Sequence, residues 1–171
     1  VTAGNGRFDK SLQMALPPNL QKIWNDISPE GNLDLVTKIR WVPGRPVSIA
    51  VPEAKMTKGK ITLACLPYRL DDVEAAFSFA NERVDILSFT GQYDRTKVRT
   101  KGVVNWSAAG EWRIRLVELF LDDLLPDRLF RRALPTDLRT VVEELDPKGP
   151  ISLSGMVEFR GTDRSEDQVT A

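Results

Sequence analysis

The chain has 171 residues, 42% of them hydrophobic, enough for one well-packed core, and its 24 Lys plus Arg balance its 24 Asp plus Glu. Zero net charge gives no electrostatic reason to expect nucleic acid as a partner. Histidine is absent and cysteine occurs once, at Cys65, which removes Ser-His-Asp and Cys-His catalysis, histidine- or thiolate-built metal sites and any internal disulfide.

Residues 1–6 carry little pattern and read as a loop or a truncated strand. From Phe8 the text turns helical: Leu12, Leu16, Leu20, Ile23, Trp24 and Ile27 share one face, with Pro17-Pro18 between two segments and Ser28-Pro29-Glu30-Gly31 as the stop. After Gly31 the period drops to two, and Leu33, Leu35, Thr37, Ile39 and Trp41 alternate with polar positions. Val47, Ile49 and Val51 form the inner face of the next strand, and Ile61, Leu63 and Cys65 that of the third. Leu70 to Ala80 puts Val73, Ala75, Phe77 and Phe79 on one side. Strands through Val84 and Ile86, through Val98 to Val104, and through Trp112, Ile114 and Leu116 follow, separated by reversals at Asn81-Glu82, Tyr93 to Thr96 and Ser107 to Gly110. Strict alternation places Leu87 and Phe89 opposite Val84 and Ile86, so some strands read as apolar on both faces. Beyond Leu119 the alternation fails. Asp122-Asp123 is expected to open a helical stretch, Ile151 to Arg160 reads as a strand, and 161–171 as a frayed tail.

Two stretches are one element written twice. Ala15 to Trp41 and Ala133 to Phe159 align without a gap, so that Ala15, Leu16, Pro17, Leu20, Pro29, Gly31 and Leu35 recur as Ala133, Leu134, Pro135, Leu138, Pro147, Gly149 and Leu153. The prolines, the glycine and the change of period stay in step. The expected organisation is therefore one repeat unit over 1–132, the start of the next over 133–160, and a tail over 161–171. The expected fold is mainly β with short helices: an antiparallel meander of about seven to eight strands forming a curved, groove-like sheet, covered in part by the N-terminal and C-terminal helical segments. A closed β-sandwich is the alternative. About seven strands at ~4.8 Å would advance such an array by roughly 34 Å per unit.

Catalysis would have to rest on carboxylates. Asp71-Asp72, Asp122-Asp123 and Glu143-Glu144 are adjacent pairs, and adjacent residues on a strand point to opposite faces and cannot act together. Asp71-Asp72 is read at a strand entry and Asp122-Asp123 at a helix entry. No catalytic residue, metal site or cofactor is therefore expected. Trp41 and Trp112 alternate with inward aliphatic residues and are expected to pack; Trp106, before a turn, is the ring expected to be most exposed.

The phrase ALPPNLQKIWNDISPEGNLDLVTKIRW, followed by LDDVEAAFSFANERVDILSFTGQYDRTKVRTKGVVNW with its Gly-x-Val at Gly102 to Val104, resembles segments of AsmA-like bacterial envelope proteins, within the bridge-like lipid-transfer group. The resemblance implies a periplasmic, non-enzymatic segment of a membrane-anchored parent protein whose apolar β-groove passes lipid acyl chains between membranes or supports outer-membrane assembly. It implies adjacent repeats as partners and membrane contact through parts outside this chain. Residues expected to line the groove, chosen by alternation, are Leu35, Ile39, Ile49, Leu63, Phe77, Ile86, Val98 and Ile114. The rival function is a closed sandwich module in which Trp106, Tyr68 and Tyr93 meet a glycan or a protein.

Overall fold

The computed structural model describes residues 2–16, 18–44, 48–62, 68–107, 110–134, 136–162 and 165–170. Nine strands form one sheet: β1 (Thr2–Arg7), β2 (Glu30–Arg40), β3 (Ser48–Thr62), β4 (Arg69–Ala80), β5 (Arg83–Tyr93), β6 (Thr96–Trp106), β7 (Glu111–Leu124), β8 (Ile151–Thr162) and β9 (Ser165–Thr170). They lie side by side in chain order, each antiparallel to the next, with β1 and β9 at the edges. The meander is open, and among the described residues no second sheet closes over it as a sandwich would require. Two helix pairs accompany it, α1 (Lys10–Ala15) with α2 (Pro18–Ile27), and α3 (Arg128–Ala133) with α4 (Thr136–Leu145).

The break inside each helix pair has a local cause. Leu16 and Leu134 each precede a proline, whose ring disfavours helical backbone in the residue before it. Both are extended, at φ −76°, ψ 151° and φ −72°, ψ 143°. Each first helix is capped by an aspartate: Asp9 accepts from the Leu12 N–H and Asp127 from the Phe130 N–H, both at 2.8 Å.

The duplication seen in the sequence reaches the strand register. Thr2, Ala3 and Gly6 face Val36, Leu35 and Leu33; Phe120, Leu121 and Leu124 face Ser154, Leu153 and Ile151. Every one of these residues matches its counterpart at the spacing that separates Ala15 from Ala133, and the irregularity between Ala3 and Gly6 recurs between Leu121 and Leu124. Side chains follow: Gln21 Nε2 donates to the Met14 and Leu16 carbonyls, and Arg139 donates to those of Arg132 and Leu134. β1 thus corresponds to the end of β7, and the stretch between the two helix pairs holds six strands, β2 to β7, rather than seven, because the strands expected through Val47 to Val51 and from Ile61 belong to one strand, β3, that runs unbroken over Ser48–Thr62. At ~4.8 Å per strand that is an advance of about 29 Å.

Three other expectations are corrected. β7 continues past Leu119 to Leu124, and the helix that follows is opened by Asp127, so Asp122-Asp123 sits in a strand. Residues 165–170 pair with β8 as β9 instead of fraying. Phe89 shares the face of Ile86 because the register shifts between them; it lies opposite Ala75 and Thr100, while Leu87 points out and is 53% exposed.

That shift is one of a set. Inward residues recur three apart at Met56/Gly59, Ile86/Phe89, Leu116/Leu119 and Leu121/Leu124, each across a register irregularity, and Leu70/Val73 brackets the bulge that follows Asp71. Left-handed backbone marks four of the five, at Lys58 (φ 50°), Asp72 (φ 49°), Glu118 (φ 53°) and Asp123 (φ 59°). Each bulge inserts one residue, which returns the next apolar side chain to the same face.

The core is the strand ends nearest the helices. Met56, Ile61, Leu70, Val73 and Val98 are buried there under Phe8 and Ile27, from the segments flanking α1 and ending α2. A second cluster joins Tyr68, Leu124 and Phe130, with Leu134 and Ile151 packed on it.

Candidate functional site

Cross-strand pairing strings the inner face into rows. One row runs Leu35, Ala54, Phe77, Ile86, Gly102, Leu116, Val157 across β2 to β8. The next runs Val51, Phe79, Val84, Val104, Ile114, Phe159 across β3 to β8. Neither contains a charged or polar side chain. The first spans about 29 Å at ~4.8 Å per strand, nearly twice the ~15 Å depth of one bilayer leaflet's hydrocarbon.

Among the described residues, most of this surface lies outside the helix-covered core. Phe77 packs against the buried cluster and Ala54 is 1% exposed, but Val51, Phe79, Val84, Ile86, Val104, Ile114, Leu116, Val157 and Phe159 are in neither cluster among the described residues and are half-buried. Toward the turns, Trp106 faces Trp112, and Phe79 stacks on Trp106 with ring centroids 5.8 Å apart and planes 10° from parallel. Gly102 keeps the backbone close: a Cβ there would sit 2.6 Å from the Arg115 carbonyl oxygen. Thr100 lies in the row beside these and is satisfied internally, its hydroxyl donating to the Val117 carbonyl at 3.2 Å.

The opposite face is ionic. Lys60 meets Asp71 at 3.0 Å, Arg69 meets Glu30 at 2.7 Å and Lys101 meets Glu118 at 2.9 Å. Glu158 gathers Arg160, Arg115 and Arg113, and the Arg160 hydrogen bond leads the interactions that hold its carboxyl below the usual carboxylate range. The adjacent acids do not converge: Asp72 accepts from Gln92 at 2.6 Å and Asp123 pairs with Arg95 at 3.3 Å, each within its own bulge. Among the described residues no group of three or more acids and cysteines is placed to hold a metal.

Of the residues expected to line a groove, Leu35, Ile86 and Ile114 lie in the two uncovered rows, Ile39 and Ile49 face each other beyond them, and Phe77 marks the boundary. Val98 is on the same face but buried under the helix-covered end, so it packs rather than lines. Leu63 and Cys65 fall outside the described residues. Phe79, Val104 and Phe159 were missed, although their own alternation marked them. Two of the three tryptophan expectations reverse: Trp41 is 68% exposed and Trp106 is half-buried on Phe79, whereas Trp112 is half-buried as expected. Tyr68 and Tyr93 stack on each other at 4.2 Å at the opposite end of the strands from Trp106, so the three rings do not form one platform. The cavity beside the two tyrosines, about 160 Å³, is smaller than pockets that enclose a drug-sized ligand.

Comparison with protein-family models, curated proteins and solved structures found no match to this chain.

Proposed function

We propose that the chain is a non-enzymatic segment of an envelope protein of the AsmA-like kind, and that its uncovered apolar face holds lipid acyl chains. What carries this reading is the pair of unbroken apolar rows, six and seven residues long, most of whose members lie outside the helix-covered core among the described residues. A soluble chain leaves a contiguous apolar strip of that kind for a partner. The strip has no polar group to orient a small substrate, which suits hydrocarbon, a ligand bound by area and exclusion of water. The second face, covered in ion pairs, stays in water. Acyl chains would lie across the strands, along the direction in which the units follow one another.

Purified protein expressed in bacteria, extracted with organic solvent and analysed by mass spectrometry, is expected to release phospholipid. Ile86→Asp with Ile114→Asp should abolish that recovery while leaving the far-ultraviolet circular dichroism unchanged, because both side chains are already partly in water. Equal lipid recovery from the folded double variant would overturn the reading.

A further inference from the structure

We propose that an exposed stripe on the first helix of each pair rests on an anionic lipid bilayer, so that the helix-bearing margin of the sheet lies along a membrane surface. The inference does not rest on the acyl-chain reading, which concerns the uncovered inner face. Leu125, Arg128, Leu129 and Arg132 follow the i, i+3, i+4, i+7 spacing of one helical face, and all four are exposed, the two leucines at 47% and 50%. Their counterparts in the duplication, Arg7, Lys10, Ser11 and Met14, are exposed as well, Met14 at 72%. α3 follows the complete run of strands β2 to β7, and α1 precedes the same run. A position exposed in both settings owes its exposure to neither end of the chain.

Each stripe carries two cations, Arg7 with Lys10 and Arg128 with Arg132, and none of the four has an ion-pair partner among the described residues. The one acid within each segment, Asp9 or Asp127, spends its carboxylate on a helix N–H, and Asp127 also on the Tyr68 hydroxyl. Unpaired positive charge beside exposed aliphatic side chains fits anionic headgroups over hydrocarbon. The order of the side chains argues for a bilayer over a folded protein. Between the copies a cation and a leucine exchange at Arg7/Leu125, and a methionine and a cation at Met14/Arg132, while the pair of charges is kept. A folded partner reads side chains by position and would meet two different sites; a fluid surface has no fixed positions and meets both alike. With six strands per unit the stripes recur every ~29 Å along one margin, so a plane engages them together and weak contacts reinforce one another.

The test is co-sedimentation of the full chain with vesicles of phosphatidylcholine, alone or with about one-third phosphatidylglycerol. Binding is expected to the anionic vesicles and not to the neutral ones, and it should weaken as salt rises. Arg128→Gln with Arg132→Gln should weaken it by about fivefold for each charge removed. Leu129→Ser, a change to the residue its counterpart already carries, should weaken it by about three- to fivefold. All three positions are exposed, so the circular dichroism of these variants should match that of the parent chain. Ile86→Asp with Ile114→Asp is expected to keep full vesicle binding while it abolishes lipid recovery, so the failure of one reading is distinguishable from the failure of the other. Equal binding of neutral and anionic vesicles, no binding to either, or undiminished binding by the double arginine variant would overturn the proposal. So would binding of polyglutamate without binding of anionic vesicles, which would assign the stripes to an acidic protein.

Discussion

Asp127 does two jobs with one carboxylate, capping α3 through the Phe130 N–H and accepting the Tyr68 hydroxyl, so it ties the second helix pair to the loop before β4. Asp9, its counterpart, is described with the cap alone. Asp9→Ala should therefore cost about 1 kcal/mol in urea denaturation and Asp127→Ala about 2 kcal/mol, the difference being the tyrosine bond. Equal losses would mean that the Tyr68 contact contributes nothing. Burial works against ionising Asp127, but the Phe130 N–H, the Tyr68 hydroxyl and the Leu129 N–H outweigh it and hold the carboxyl below its ordinary value. A depressed acid stabilises the fold fully above the unfolded-chain value, about 4, and loses that contribution as pH falls through the folded value. Burial, then the bond to Asp127, pushes the Tyr68 hydroxyl upward, so its contribution is complete below about pH 10 and fades as pH rises through the folded value. Asp127→Asn should flatten the acid limb of a plot of stability against pH, which a series of urea titrations would read.

At the scale of the element, the bulges explain both what the sequence disclosed and what it hid. Alternation located β2 and β4 to β8 because one face of each is apolar, but it split β3 in two. It could not place Phe89 or the end of β7, because an inserted residue makes the inward period three and resembles a strand that has stopped. A signal was present: Asp72 and Asp123 are acids just before an inward apolar residue, and aspartate tolerates left-handed backbone better than most residues. Asp72→Val should therefore destabilise the sheet by about 1–2 kcal/mol, while Asp72→Gly stays near the parent chain despite losing the Gln92 bond. Thermal unfolding of the pair distinguishes backbone cost from side-chain loss; a valine variant as stable as the glycine one would remove the bulge argument. Trp41 was illegible for another reason. Its burial depends on whether a strand lies beside it, which no local pattern encodes.

For the whole molecule, the duplication was legible because prolines and glycine anchor the alignment, whereas the proposed ligand was not, since an apolar row points to hydrocarbon only by what it lacks. The strands between the helix pairs were overcounted by one because Pro52 and the left-handed backbone at Lys58 interrupt the alternation inside β3 and read as strand ends. Removing residues 147–171 takes β8 and β9 away and leaves β7, with Ile114, Leu116 and Leu121 on its inner face, as a long edge. Such an edge invites pairing with another chain. Sedimentation velocity should find that truncated protein associating with rising concentration where the full chain does not.

Helix pairs return on the same margin of the sheet after six strands. In any polypeptide that keeps the spacing from Ala15 to Ala133, they would stand like ribs along one bank of a trough, one pair every ~29 Å. The far bank, where Trp106 and Trp112 lie, would carry no helix pair, so an acyl chain held as proposed could enter or leave sideways at any unit instead of only at the two mouths.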